Sequence, residues 1–139
     1  MDGYALHVFC TGSGSPTVVM DAGLGGWSMD WSEVQPSVSR STRVCTYDRP
    51  GLGWSSPRPE PRDAQHAAAE LHALLKNAAI DGPLVLVGHS NGGLRVLLCA
   101  AEHRDDVLGL VLVDPTPISS DDEQFAALSA GEQAELLAR

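Results

Sequence analysis

Cations are scarce in this chain: nine lysines and arginines face eighteen aspartates and glutamates, for a net charge of −9 over 139 residues. Such a field repels phosphate backbones and anionic lipid heads, so neither nucleic acid nor a membrane surface is an expected partner. Cysteines number only three, Cys10, Cys45 and Cys99, and no Cys-x-x-Cys pair or His/Cys cluster offers metal-ligand spacing. No metal site is expected. The three lie far apart in apolar stretches, and buried free thiols are expected rather than disulfides. No apolar run approaches the roughly 20 residues of a membrane span. No basic stretch followed by an apolar run marks a secretory leader at the N-terminus. The expectation is a soluble, cytoplasmic chain.

What is present is apolar material in short blocks, 43% of the residues, enough for one domain with a real core. Tyr4–Cys10 alternates weakly and ends at Thr11-Gly12-Ser13-Gly14, a strand leading into a turn. Thr17–Met20 is a β-branched run that stops at the glycine-rich loop Asp21-Ala22-Gly23-Leu24-Gly25-Gly26. Met29–Ser39 reads as a short helix, with Asp30 or Ser28 near its N-cap and Pro36 limiting its regularity. Arg43–Tyr47 is a further strand, opening into Asp48-Arg49-Pro50-Gly51-Leu52-Gly53-Trp54-Ser55 and a proline-rich stretch to Pro61.

From Asp63 to Ala79 the period turns helical. Ala67, Leu71, Leu74, Leu75 and Ala78 form an apolar stripe, with Glu70, Lys76 and Asn77 outside it. Leu84–Val87 is an unbroken apolar run that suits a central strand covered on both faces. Asn91–Glu102 reads as a helix, Val107–Val113 as a second buried strand, and the alanine-rich tail from Ser119 as helical. Strands alternating with helices give an α/β fold, a mostly parallel sheet with flanking helices.

The sharpest signal is Gly88-His89-Ser90-Asn91-Gly92, a Gly-x-Ser-x-Gly between a strand and a helix. A chain turning sharply from strand to helix holds its serine in strained backbone geometry, and glycines two residues to either side leave room where the elements pass. Ser90 Oγ would project above the sheet beside a helix N-terminus, whose dipole favours developing negative charge. The competing reading is a serine that caps a helix after a tight turn; the strand and helix around it favour a nucleophile.

Over residues 4–118 the sequence resembles the α/β-hydrolase family. Besides the elbow, Val18–Gly26 is similar to that family's strand and oxyanion loop, with Ala22-Gly23 where many members have His-Gly. Tyr47–Ser55 is similar to its Asp-x-x-Gly-x-Gly-x-Ser loop, and Leu110–Asp114 to the strand after the elbow helix. The resemblance implies that Ser90 is the nucleophile and that the backbone N–H groups of Leu24 and Asn91 hold a tetrahedral oxyanion. Arg49 and Trp54 either line a pocket or serve a structural loop, and the structural role is expected.

The resemblance implies a triad running Ser…Asp/Glu…His along the chain, and here it breaks down. The histidines are His7, His66, His72, His89 and His103, none well placed: His7 lies in a strand, His66 and His72 on a flanking helix, and His103 a helix length from Ser90. His89 adjoins Ser90, with its side chain expected to point away. No histidine follows Asp114, which ends a strand on the edge of the sheet where Ser90 sits; a structural role is expected for it, with the triad acid as the alternative. Against the family pattern the chain reads as a truncated α/β-hydrolase core, residues 1–118, with 119–139 beginning a cap or lid.

A serine hydrolase of carboxylic esters or similar acyl compounds is the expected origin, using no cofactor and a small-molecule substrate, with the isolated chain impaired. A serine at the elbow argues against the dehalogenase and epoxide hydrolase branches, which use an aspartate there. The competing readings are a non-catalytic binding module and a truncated, inactive product. An uncovered sheet edge would favour self-association.

Overall fold

Valine, leucine and threonine runs of four to seven residues become strands, and the alanine- and leucine-rich segments between them become helices. The computed structural model describes residues 3–58 and 63–117. Strands β1 (Val8–Thr11), β2 (Thr17–Asp21), β3 (Val44–Tyr47), β4 (Leu84–His89) and β5 (Val107–Val113) form one sheet in the order β1-β3-β2-β4-β5. Strand β1 runs antiparallel to β3, and every other pairing is parallel. This is the mostly parallel α/β sheet expected from the sequence. The expected tail helix lies outside the described residues.

Alternation along the inner strands sends side chains to both faces. Val19, Cys45 and Leu86 meet Leu71, Leu75 and Leu98 of helices α2 (Ala64–Asn77) and α3 (Asn91–Glu102). Met20, Val44 and Val87 face the other way, toward Trp31. Each large aliphatic side chain buried this way contributes roughly 1.5–3 kcal/mol. Asp63 starts α2 as its N-cap, its carboxylate accepting from the His66 N–H at 2.8 Å.

Four local expectations are corrected. Residues 29–39 are not one helix: a 3-10 turn, Ser28–Trp31, precedes a single helical turn α1 (Gln35–Val38), with Trp27 rather than Ser28 or Asp30 at the cap position. Pro36 has no N–H, so it is tolerated only in the first turn of a helix and forces this restart. Glu70 is buried rather than outside the stripe, because Tyr4 Oη donates to it at 2.5 Å and Arg58 pairs with it at 2.8 Å.

Cys10 and Cys45 are not free thiols. The antiparallel register sets them directly opposite, and their sulfurs are joined in a disulfide. Cys99 is free and buried, as expected. Finally, β5 is not a buried strand: among the described residues it pairs only with β4, and Leu108 is 69% exposed.

Candidate active site

Ser90 stands between β4 and α3 with φ 52° and ψ −122°, a conformation that L-residues rarely adopt. The glycines around it are sterically required. A Cβ on Gly88 would stand 2.6 Å from Gly92 O, Gly93 Cα and Val96 Cγ2. One on Gly92 would stand 2.5 Å from Asp21 O, where β2 ends beneath the elbow. The turn is pinned from β5 as well: the Ser90 N–H donates to Val113 O at 3.0 Å, and Ser90 O accepts from Gly93 N–H and Thr116 N–H at 3.0 and 3.1 Å. Ser90 occupies the N-cap position of α3, but its side chain makes no capping bond there.

The glycine-rich loop after β2 lies against this elbow. A Cβ on Gly23 would come within 3.4 Å of Ser90 Cβ and 3.1 Å of His89 Nδ1. Leu24, the next residue, is 87% exposed. A cavity of about 410 Å³ opens here, with Leu24, Asn91, Arg49 and Arg95 in its wall. A larger one, about 660 Å³, lies between β1 and α1 and includes no elbow residue.

Beneath the loop sits an ionic cluster that sequence reasoning missed. Asp21, wholly buried, accepts from Arg95 Nε at 2.8 Å, from Arg95 Nη2 at 2.9 Å and from Arg49 Nη1 at 2.6 Å. Arg95 also donates to Ala22 O at 2.6 Å and to Asn91 Oδ1. Arg49 donates to Ala22 O, Gly23 O and Gly26 O at 2.7, 2.5 and 2.9 Å. Burial opposes the charge on Arg95, and the hydrogen bonds and charge of Asp21 outweigh it, raising the guanidinium pKa. The available signal was a charged residue inside each apolar run, Asp21 after Thr17–Met20 and Arg95 within α3.

The 48–55 loop is braced by its own hydrogen bonds, and it also reaches both cavities, Arg49 in the wall of the smaller and Trp54 in that of the larger. Asp48 accepts from Ser28 N–H at 2.8 Å and Trp54 N–H at 3.0 Å, while Ser55 Oγ donates to Asp48 O at 2.5 Å. Burial raises the Asp48 pKa, but these donors and the nearby His7 bring it below the usual carboxylate range. Gly53, at φ 51°, leaves no room for a Cβ against Asp48 Oδ2.

None of the described histidines hydrogen-bonds to Ser90. His7 Nδ1 stands 3.1 Å from Asp48 Oδ2, His66 Nδ1 2.6 Å from Asp63 Oδ2, and the rings of His72 and His103 stack at 3.4 Å on the outer helices. The His89 ring packs beside Gly23 in the loop. Asp114, at φ 43°, directly follows Val113, the residue whose carbonyl takes the Ser90 N–H, so the fold brings it level with the elbow. Among the described residues no group of three or more His, Cys, Asp or Glu could hold a metal ion. Among them, too, no helix is long and apolar enough to cross a membrane.

The fold is found in known proteins. Residues 16–135 match the family described as alpha/beta hydrolase fold. The protein YqjL of Bacillus subtilis (strain 168) is 35% identical over 116 residues, which is 83% of this chain and 46% of that protein. A thermophilic esterase from Thermogutta terrifontis, solved with malate bound, superposes with a TM-score of 0.75 at 28% identity, over 85% of this chain and 44% of that one. The epoxide hydrolase CorEH superposes with a TM-score of 0.77 at 25% identity, over 99% of this chain and 47% of that one. The chain thus spans a little under half the length of each of these three proteins. With its elbow, its glycine loop and its sheet order all accounted for, the chain belongs to the alpha/beta hydrolase fold family.

Proposed function

We propose that this chain carries the nucleophile and oxyanion half of a serine hydrolase acting on a carboxylic ester or a similar acyl compound. Ser90 Oγ attacks the acyl carbon, its proton passes to a base, and the carbonyl electron pair moves onto oxygen. The backbone N–H groups of Leu24 and Asn91 hold that oxyanion. Collapse expels the alcohol, which takes the proton back, and water then releases the acid from Ser90. Asp114 is proposed as the acid of the triad, and the base comes from outside the described residues.

The observation that carries this reading is the positive φ of Ser90, held between glycines that no other residue could replace without a clash. Strain of this kind costs about 1–3 kcal/mol and is kept where function needs it. The test is a polypeptide in which this chain is continued by a C-terminal half like that of its relatives. It should hydrolyse short-chain p-nitrophenyl esters, and Ser90→Ala should remove that activity. Wild-type turnover in Ser90→Ala would overturn the assignment.

A second reading, a binding module without catalysis, is favoured by one observation: no described histidine hydrogen-bonds to Ser90. Triad residues act as a unit, and without the base only about a thousand- to ten-thousandfold acceleration over water is left. Labelling of the continued polypeptide by a fluorophosphonate, lost in Ser90→Ala, separates the two.

A further inference from the structure

We propose that Arg49 is a positioning residue that fixes and polarises the peptide group between Gly23 and Leu24, a role that rests on the reading of Leu24 N–H as an oxyanion donor. The carbonyl of that peptide is Gly23 O. It accepts from Arg49 Nη2 at 2.5 Å and from the Gly26 N–H at 3.0 Å. In a trans peptide the C=O and N–H point in opposite directions. Once Gly23 O is held toward the guanidinium, the Leu24 N–H is directed away from it. The same stretch of loop has Gly23 packed against Ser90, its Cβ position 3.4 Å from Ser90 Cβ.

The guanidinium has little left for anything else. Arg49 Nη1 serves Asp21 Oδ1 and Ala22 O, and Nη2 serves Gly23 O and Gly26 O, so all four terminal N–H groups are committed. A substrate carboxylate would have to displace these bonds. The planar fork instead matches a loop whose three carbonyls converge, which a point-charge ammonium cannot do.

The bond also acts on the strength of the donor. Charge-assisted hydrogen bonds are roughly twice as strong as neutral ones. A carbonyl so engaged withdraws charge from its own peptide N–H, and chains of hydrogen bonds strengthen one another by about 10–30% per bond. Beneath the loop one carboxylate, Asp21, is shared by two guanidinium groups, Arg49 and Arg95.

Nuclear magnetic resonance on this chain tests the proposal without any turnover. In Arg49→Gln, exchange of the Gly26 N–H should accelerate at least tenfold, and the Leu24 amide nitrogen should shift, while amides in β2 and β4 keep their protection. Arg49→Lys, which keeps the charge but not the fork, should give intermediate values. Should Arg49→Gln unfold the chain, Arg49→Lys is read by the same two signals. Leu24 and Gly26 signals unchanged from wild type in a folded variant would overturn the role. Because neither signal involves Ser90 chemistry, that failure is distinct from a failure of the esterase test.

Discussion

Arg95 and Asp21 meet across 74 positions of sequence in a two-pronged contact, Nε to Oδ2 at 2.8 Å and Nη2 to Oδ1 at 2.9 Å, with both side chains buried. This contact joins the middle of the elbow helix α3 to the end of β2, so it sets where the glycine loop leaves the sheet. Removing one partner of a buried pair typically costs about 3–5 kcal/mol, because the other charge is left uncompensated. Arg95→Ala should fall near the lower limit, about 3 kcal/mol, since Arg49 still reaches Asp21. Asp21→Ala strands two guanidinium groups and should cost more. Urea denaturation at neutral pH measures both, and a loss below about 1 kcal/mol for Asp21→Ala would show that the cluster does not hold the loop.

Ser90 offers the opposite case, a residue whose replacement should stabilise the fold. Its φ of 52° is one that glycine adopts freely, and its side chain makes no bond to the helix it precedes. Relief of about 1–3 kcal/mol of strain is offset in part by the greater freedom of glycine in the unfolded chain. Ser90→Gly should therefore gain about 1 kcal/mol, and Ser90→Ala, which keeps a Cβ, should gain nothing. Thermal melts of the two variants beside the wild type decide this. Equal melting temperatures for all three would mean that the elbow is not strained.

Thiol chemistry provides a third test, in which burial and the disulfide give separate counts. Cys99 lies on the buried side of α3 with its pKa pushed up to about 12 by burial, so its nucleophilic thiolate is scarce at neutral pH. Cys10 and Cys45 are joined. A thiol reagent should find no reactive group in the folded chain, one after unfolding without reductant, and three after reduction. Three thiols on unfolding without reductant would restore the free-thiol reading.

What the sequence made legible was local. The elbow lies within five consecutive residues, flanked by an apolar run and a helix, so its signature could be read from that neighbourhood. The Cys10–Cys45 pairing required knowing that β1 runs antiparallel beside β3, a contact between segments 35 residues apart that no periodicity encodes. Glu70 lies outside the apolar stripe and is buried through partners that the helical period does not show, Tyr4 at 66 residues' separation and Arg58 at 12. Arg49 was expected to serve a structural loop, yet it lines a cavity as well, and the three carbonyls that it gathers come from the loop after β2, more than 20 residues away. Residue types announced strands and helices; which charges met beneath the loop depended on the order of the strands.

The last prediction concerns the free side of β5. Four of its side chains, Leu108, Val111, Leu112 and Val113, are between 40 and 69% exposed, and among the described residues β4 is its sole neighbour in the sheet. A strand that is apolar and unpaired along one side offers both backbone hydrogen bonds and hydrophobic area to another chain. The net charge of −9 opposes association, but Debye screening limits charge repulsion to about 8 Å at physiological salt, whereas strand pairing acts at contact. The 139-residue chain should therefore form dimers or larger species, more of them as salt rises. A lysine at Leu108 together with one at Val111 places two cations on the strand, a device that native edge strands use against pairing. That double variant, Leu108→Lys with Val111→Lys, should return the chain to a monomer in size-exclusion chromatography with light scattering. A wild-type chain that stays monomeric at every concentration and salt level would show that this edge is covered by other residues of the chain.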